Sequence, residues 1–438
     1  MRAPRLDDGD VVLYQGDCIE VMAEMPAESV DAVVCDPPYG LEFMGKEWDA
    51  PWKDERTDKR GVIDPAEWGG QQDGNGGNPY SRSRIRTAAA HYGRDSAGVN
   101  ASFAVWCEQW AREALRVLRP GGHLLAFGGT RTFHRLTCGI EDAGFEVRDC
   151  MSWLYGSGFP KSLDVSKAID KTAGAERQRV VEHAGTSGSL SGPRINVLDG
   201  GEPITDAARE WHGWGTALKP AWEPCVVARK PLVGTVAANV QQHGTGALNI
   251  DGCRIGTEST RRDTGTAAMW ANAGRVIGGS DAGRWPANVA FDEAAAAMLD
   301  AQSGERSSLA PYKRGTGTTS VGVGDFLTGL GSDGSLNYGD TGGASRFFYT
   351  AKASRADRNT SGANNTHPTV KPTELMRWLV RMVTPPGGVV LDPFAGSGST
   401  LVAARAEGLR SIGIEREDEY AEIIAQRLSQ LSLFSEAS

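Results

Sequence analysis

The sequence of 438 residues contains no long hydrophobic run. A membrane-spanning helix needs roughly 20 consecutive apolar residues, and no stretch approaches that length. The opening residues, MRAPRLDDGD, also lack the apolar core of a secretory signal peptide. The sequence therefore predicts a cytoplasmic protein without a membrane partner.

The signatures of metal sites and of triphosphate-binding loops are missing as well. The seven cysteines are scattered without a CxxC pair, and the seven histidines show no ligand-like spacing. No metal is therefore predicted, and the cysteines are expected to be reduced thiols. No GKS or GKT sequence follows a glycine-rich turn, which argues against a nucleoside triphosphate-binding loop.

Positive charge is in short supply, because the formal net charge is −9. This balance argues mildly against a protein that coats nucleic acid indiscriminately, although a local basic surface is compatible with it. Glycine, in contrast, is abundant, with 56 residues, which is well above the usual share of roughly 7%. The surplus indicates long irregular segments or loops that pass close to a ligand.

Strand and helix patterns alternate at both ends of the chain. Residues 10–156 and 346–431 show the alternation, whereas residues 157–345 are rich in Gly, Ser, Thr, Asn and Arg and lose it. The alternation predicts a mainly parallel α/β sheet, assembled from both ends of the chain around a central irregular region. Residues 41–100 are polar and glycine-rich, which predicts a mobile loop.

The segment VVLDPFAGSGSTLVAARAEGLRSIGIERE (residues 389–417) predicts a strand, a glycine-rich turn, a helix and a second strand that ends in an acid. Glycines at such a turn let backbone amides approach a ligand closely. Glu415, about 20 residues further on, is placed to accept hydrogen bonds from ribose hydroxyls. The pattern therefore indicates a nucleoside-containing cofactor. A dehydrogenase is disfavoured because the turn has a single GxG.

The segment VDAVVCDPPYG (residues 30–40) ends an apolar strand on an acid, two prolines and a tyrosine. An exocyclic amino group of a nucleobase is a poor nucleophile, because its lone pair is delocalised into the ring. The Asp36 carboxylate and the Pro37 carbonyl can accept both of its N–H bonds, and the carboxylate stabilises positive charge that develops on nitrogen. Tyr39 is expected to stack on a base drawn out of a duplex. The alternative is a Pro-Pro turn that only closes a strand, and the neighbouring Cys35 is expected to be a small buried strand residue.

The two motifs together resemble the amino-group DNA methyltransferases that use S-adenosylmethionine. The catalytic motif precedes a central region and then the cofactor motif, an order similar to the β class of that group. LYQGDCIEVM, LRPGGHLLAFGG, YGSGFPKSLD and NNTHPTVKP resemble further family segments. The resemblance implies a Rossmann-like sheet of seven strands, one of them antiparallel, and a target-recognition region at residues 157–345.

The resemblance also implies roles for individual residues. Those that would hold the target base are Asp36, Pro37, Pro38 and Tyr39. Those that would bind S-adenosylmethionine are Asp17, Lys371, Asp392, Phe394, Gly396, Gly398 and Glu415, with His367 beside Lys371 in its motif.

Double-stranded DNA is the expected partner. The run YSRSRIRTAAAHYGR (residues 80–94) carries four arginines and no acid, and it falls in the predicted loop directly after the catalytic motif. Replacing Arg82, Arg84 and Arg86 with alanine is expected to weaken DNA binding and to spare cofactor binding. A solvated loop is the alternative for this run. The sequence leaves open a homodimer, a restriction endonuclease partner and the recognition site.

The target that the sequence favours is N6 of adenine, reached by base flipping, because Asp36 begins a DPPY rather than an SPPY motif. N4 of cytosine is the main alternative, since some cytosine N4 enzymes also carry DPPY. Methylation of RNA or of a protein amide is a further alternative, although those relatives more often have Asn at the position of Asp36. A catalytically inactive DNA-binding protein is opposed by the intact catalytic and cofactor motifs.

Overall fold

The computed structural model describes residues 2–40, 96–160, 162–177, 180–183, 195–198, 201–256, 283–307, 341–352 and 370–435. The predicted loop at residues 41–100 lies outside this range except for its last five residues, which begin a helix. Arg82, Arg84, Arg86 and His367 also lie outside the described residues.

The strands, in chain order, are β1 (Leu6–Asp7), β2 (Val11–Gln15), β3 (Val30–Cys35), β4 (Leu118–Phe127), β5 (Glu146–Leu154), β6 (Val180–His183), β7 (Ile195–Leu198), β8 (Trp222–Arg229), β9 (Val289–Asp292), β10 (Arg306–Ser307), β11 (Thr341–Gly342), β12 (Tyr349–Ala351), β13 (Val389–Asp392) and β14 (Arg410–Glu415). The α-helices are α1 (Cys18–Glu24), α2 (Ser96–Val117), α3 (Phe133–Asp142), α4 (Val165–Thr172), α5 (Asp206–Glu210), α6 (Val236–His243), α7 (Glu293–Ser303), α8 (Thr373–Val383), α9 (Ser399–Ala406) and α10 (Asp418–Ser435). Within the described ranges, none of these helices is both long enough and apolar enough to cross a bilayer.

Ten of the strands form one mixed sheet in the order β1-β2-β14-β13-β3-β4-β8-β5-β9-β12. The five neighbours from β2 to β4 run parallel, and β8 runs antiparallel to both β4 and β5. Strands β13 and β14, from the end of the chain, lie between β2 and β3, from its beginning. The predicted α/β fold and the assembly of the sheet from both ends are therefore confirmed.

The sheet differs from the expected one in the number of its strands. The stretch from β2 to β5 contains seven strands with β8 as the antiparallel member, which is the arrangement that the family resemblance implies. Strand β1 extends one edge, and β9 and β12 extend the other. These additions are only two to four residues long, too short to leave a hydrophobic pattern in the sequence. Because β8 and β9 fall within residues 157–345, that region is not irregular throughout.

Helices cover both faces of the sheet, as a buried parallel sheet requires. All six residues of β3 are buried, and they alternate between two apolar cores. Val33 and Cys35 pack in the core that contains residues of α1, α2 and α3, whereas Ala32 and Val34 pack in the core that contains residues of α8 and α9. A third core joins β2 to α9 and α10.

Residues Ser157–Ala221 form a second compact unit. Its centre is the buried Asp170, whose carboxylate accepts hydrogen bonds from the backbone N–H groups of Ile204 and Thr205, from the Thr205 hydroxyl and from Arg177. Because one carboxylate satisfies four donors, it joins α4 to the segment that precedes α5.

Candidate active site

Acidic side chains stand at or just beyond the carboxyl ends of four neighbouring parallel strands. Asp17 follows β2, Glu415 ends β14, Asp392 ends β13 and Asp36 follows β3. In a doubly wound sheet, ligands bind in the crevice outside the carboxyl ends of the strands. The order of the strands therefore brings the two predicted motifs, about 350 residues apart in the sequence, to one edge of the sheet.

The predicted catalytic turn, Asp36–Tyr39, is closed by a hydrogen bond between its first and last residues. The Tyr39 hydroxyl donates to Asp36 Oδ1 at 2.8 Å and lies 3.4 Å from Glu223 Oε2. Burial, followed by the charges of the two carboxylates, raises the pKa of Tyr39 well above its ordinary value. Tyr39 is therefore a neutral donor at physiological pH, and it fixes the orientation of the Asp36 carboxylate.

The loop after β4 supports the catalytic turn from its other side. The Thr132 hydroxyl donates to the Tyr39 carbonyl at 2.5 Å. A side chain at Gly129 would place its Cβ 3.1 Å from the Tyr39 ring, so the glycine allows the ring to lie against the backbone. Pro37 is buried and Pro38 is half-buried, and both limit the freedom of the turn.

Lys371 lies at the catalytic turn. Its ammonium group is 2.6 Å from Asp36 Oδ2, 3.1 Å from Glu223 Oε2 and 3.1 Å from the Tyr39 hydroxyl. It also lies 4.8 Å from the centre of the Phe127 ring. Burial disfavours the ammonium ion, but the two carboxylates outweigh this effect and raise the pKa of Lys371. The side chain is therefore a buried permanent cation.

The predicted cofactor turn joins β13 to α9. Asp392 accepts hydrogen bonds from the Phe394 backbone N–H, at 3.0 Å, and from the Thr400 hydroxyl. Gly396 and Gly398 have φ angles of +53° and +81°, which favour glycine. A Cβ atom on Gly398 would also lie 3.1 Å from Ile424. The backbone of the turn therefore packs closely against Ile424 of α10.

Glu415 connects the cofactor turn to the end of β14. Its Oε2 accepts the Gly396 N–H at 2.7 Å, and its Oε1 accepts the Glu417 N–H at 2.8 Å. Burial raises the pKa of Glu415 to about 7 and that of Asp392 to about 7, although these donors act against the shift. Asp17 is nearby in the sheet order and accepts the N–H groups of Ile19 and Glu20 as the N-cap of α1.

Phe394 belongs to an aromatic cluster below the cofactor turn. Its ring centre is 5.6 Å from that of Trp106 and 5.3 Å from that of Trp110, the latter in an edge-to-face arrangement. Both tryptophans lie on α2, and Trp110 is fully buried. The helix therefore supports the turn through these contacts.

Sequence analysis missed two residues of this site. Glu223 is the second residue of the antiparallel strand β8, and Thr132 precedes α3. Neither residue is in a recognisable motif, and only the pairing of β8 beside β4 brings Glu223 to the catalytic turn. Cys35 is fully buried, and burial raises the pKa of its thiol well above the ordinary value. This is the environment of an inert core cysteine.

The geometry defines an α/β enzyme site in which a glycine-rich cofactor turn lies beside a carboxylate–tyrosine turn. A sequence model of the DNA methylase family N6_N4_Mtase matches residues 30–171 and 258–426, which is more than half of the chain. The chain therefore belongs to this family of DNA methylases, and the predicted family membership is confirmed.

Three individual comparisons stand beside the family match. The chain is 21% identical to the Type II methyltransferase M.HindIII of Haemophilus influenzae over 95% of its own length and 94% of that protein. It is 44% identical to the DNA adenine methyltransferase YhdJ of Escherichia coli over 69 residues, which are 16% of this chain and 24% of that protein. The structure named PvuII DNA methyltransferase (cytosine-N4-specific) is 14% identical, with coverage of 97% and 89% and a TM-score of 0.40.

Proposed function

We propose that this DNA methyltransferase transfers a methyl group from S-adenosylmethionine to the exocyclic N6 of adenine in duplex DNA. The proposal includes a specific target sequence, as for a Type II methyltransferase, and flipping of the target base out of the helix. The observation that carries it is the position of Asp36. Its carboxylate is oriented by Tyr39 and Lys371, and it stands one strand away from the glycine turn at the end of β13.

The residues at the ends of β13 and β14 suit a nucleoside with a cationic sulfonium group. Glu415 and Asp392 supply buried carboxylate oxygens, and within the described residues neither forms an ion pair with a cation. Ribose hydroxyls can donate to Glu415, and positive charge on the cofactor favours the ionised acids. When bound, S-adenosylmethionine supplies the electrophilic methyl group.

Asp36 and Tyr39 act on the target base in this proposal. Asp36 would accept an N–H bond of the amino group and would stabilise the positive charge on nitrogen as the N–CH3 bond forms and the S–CH3 bond of the cofactor breaks. The sulfur would keep the electron pair of the broken bond, and the nitrogen would then release one proton to solvent. Tyr39 presents an aromatic ring beside the acid, and stacking on such a ring is worth about 1–3 kcal/mol per base. The chain needs neither a metal nor a covalent intermediate for this step.

Adenine is the proposed base for two reasons. Asp36 stands at the first position of the catalytic motif, and one short segment of the chain resembles a protein named a DNA adenine methyltransferase. N4 of cytosine is the alternative with the same chemistry, because it is also an exocyclic amino group. RNA and protein amides are the further alternatives.

The experiment is a nucleoside analysis. The purified protein is incubated with S-adenosylmethionine and unmethylated duplex DNA, the DNA is digested, and methylated nucleosides are identified by mass spectrometry. Asp36→Ala is assayed in parallel, with Asp142→Ala, at an exposed position, as a matched control. N6-methyldeoxyadenosine that disappears only in Asp36→Ala is expected. N4-methyldeoxycytidine would contradict the base, and an absence of methylated nucleosides despite cofactor binding would contradict the proposed substrate.

A further inference from the structure

The Asp36 carboxylate belongs to a half-buried cluster of three charged side chains. Lys371 Nζ lies between Asp36 Oδ2, at 2.6 Å, and Glu223 Oε2, at 3.1 Å. The Lys371 side chain is 9% exposed, and those of Asp36 and Glu223 are 21% and 24% exposed. The Tyr39 hydroxyl lies within reach of all three residues. The contacts therefore join Asp36 to a residue on a different strand.

The formal charges of this cluster do not cancel. Two carboxylates and one ammonium group give a net charge of −1. An Asp36–Lys371 pair alone would be neutral, and its ammonium group would oppose a positive charge on a substrate bound to Asp36. Charges a few ångströms apart interact strongly in such a half-buried setting, because they are screened less than in bulk water. The second carboxylate thus changes the field that a substrate meets.

Glu223 is also suited to hold the position of Lys371. It stands at the beginning of β8, opposite Trp153 of β5, and this pairing fixes its backbone. Lys371 immediately precedes Pro372, the N-cap of α8. Its flexible side chain is held in place by Asp36 on one side and by Glu223 on the other. Phe127, at the end of β4, lies beneath the ammonium group.

We propose that Glu223 is a positioning residue for methyl transfer, which holds the Lys371 ammonium against Asp36 and keeps the net charge of the cluster at −1. This inference rests on the proposed function, because the negative charge complements the positive charge that develops on the target nitrogen. Lys371 orients Asp36 through Oδ2 while Tyr39 occupies Oδ1. Glu223 compensates the cation that this orientation requires.

The test is a set of charge variants assayed for methyl transfer to duplex DNA at saturating S-adenosylmethionine. Glu223→Gln gives the cluster no net charge, and we expect kcat to fall about 10- to 100-fold. The KM for DNA and the cofactor affinity should each stay within about twofold. Glu223→Asp keeps the charge and should retain a kcat at least about threefold higher than that of Glu223→Gln. Glu146→Gln removes another ion-paired carboxylate from the same sheet and should leave kcat unchanged.

A double variant separates charge balance from packing. Lys371→Met leaves two carboxylates together, and Lys371→Met with Glu223→Gln restores the net charge of −1. We expect the double variant to be at least about fivefold faster than the product of the two single effects predicts, because it restores the net charge that each single variant changes. Losses caused by packing alone would not be relieved by restoring the net charge.

Each outcome has a defined meaning. An active parent protein together with an undiminished Glu223→Gln variant would overturn the inference and leave the proposed function intact. Losses that multiply in the double variant, or a Glu223→Asp variant no faster than Glu223→Gln, would also overturn it. A parent protein that methylates no duplex would overturn the proposed function and, with it, this inference.

Discussion

The proposed catalytic end and the proposed cofactor end of the site both contain buried or half-buried carboxylates, but the contacts of these carboxylates differ. Asp36, after β3, is paired with the buried ammonium of Lys371 at 2.6 Å. Asp392 and Glu415, at the ends of β13 and β14, accept N–H and O–H bonds, and within the described residues they form no ion pair. The pKa of each of these two acids is raised to about 7 by burial.

The two ends therefore differ in whether the chain itself supplies a cation for the carboxylate before ligands bind. The charge of Asp36 is compensated by the chain itself, so that its carboxylate is oriented in advance, which is the condition for electrostatic stabilisation of a transition state. Among the residues that the structure describes, no cation compensates the carboxylates at the cofactor end, and a cationic ligand would favour their ionised form. Substitutions should therefore affect the chemical step at one end and ligand binding at the other.

The largest effect is expected at the catalytic end. Asp36→Asn keeps the shape of the side chain and removes the charge that stabilises the reacting nitrogen, so kcat should fall by a factor of about 100 or more. Cofactor affinity, measured by calorimetry, should change by less than about twofold. Asp142→Asn, at an exposed position, is the control. A large loss of cofactor affinity in Asp36→Asn would mean that the two ends are not separate.

The next effect concerns the stability of the cofactor-free protein as a function of pH. The pKa of Glu415 is raised from 4.5 to about 7, so the folded state holds a proton that the unfolded state has lost between these values. Its contribution to the free energy of unfolding therefore falls as the pH rises from about 4.5 to about 7 and is constant above that. Relative to that of the parent, the free energy of unfolding of Glu415→Gln should rise by about 3 kcal/mol over this range.

Chemical denaturation at pH 5, 6, 7 and 8 measures this difference. Glu419→Gln, at an exposed position of α10, should follow the parent protein at every pH. A constant difference between Glu415→Gln and the parent would show that Glu415 does not titrate in this range.

A smaller effect is expected on cofactor binding. Glu415→Gln removes one carboxylate acceptor next to the turn, which should weaken S-adenosylmethionine binding about tenfold, or roughly 1.4 kcal/mol. Calorimetry at pH 8, where the parent acid is ionised, measures the change. An unchanged dissociation constant would remove Glu415 from the cofactor site.

The smallest effect is expected in the support of the catalytic turn. Thr132→Val removes the hydrogen bond to the Tyr39 carbonyl and should lower kcat/KM by about two- to fivefold, or about 1 kcal/mol or less. Thr137→Val loses a similar bond within α3 and is the matched control. Equal activity of the two variants would show that the turn does not need Thr132.

Local sequence patterns predict the main strands of the sheet and the two turns of the site. The apolar run before Asp36 and the strand–turn–helix pattern around Asp392 predict the elements as they occur, because each signal lies within a few neighbouring residues. The alternation at both ends of the chain also predicts the insertion of β13 and β14 into the sheet. Glu415 is at its expected place, at the end of a parallel strand.

The features that the sequence did not predict depend on the pairing of strands that are distant in the chain. Glu223 reaches Lys371 only because β8 lies between β4 and β5. No pattern in the segment AWEPCVVARK (residues 221–230) predicts that β8 takes this place in the sheet. Lys371 is predicted to bind the cofactor, and that role stays a prediction. Its ammonium group contacts Asp36 and Tyr39 of the turn and Glu223 of β8. The two- and three-residue edge strands β1 and β12 are stabilised by their neighbours rather than by their own sequence.

Single-turnover methyl transfer at increasing S-adenosylmethionine concentration tests the central claim most directly. The parent protein, Asp36→Asn and Glu415→Gln are compared on one duplex substrate. If the catalytic and cofactor ends are distinct, saturating cofactor restores Glu415→Gln to within about twofold of the parent rate, whereas Asp36→Asn stays about 100-fold slower or more. Recovery of both variants, or of neither, would contradict the account.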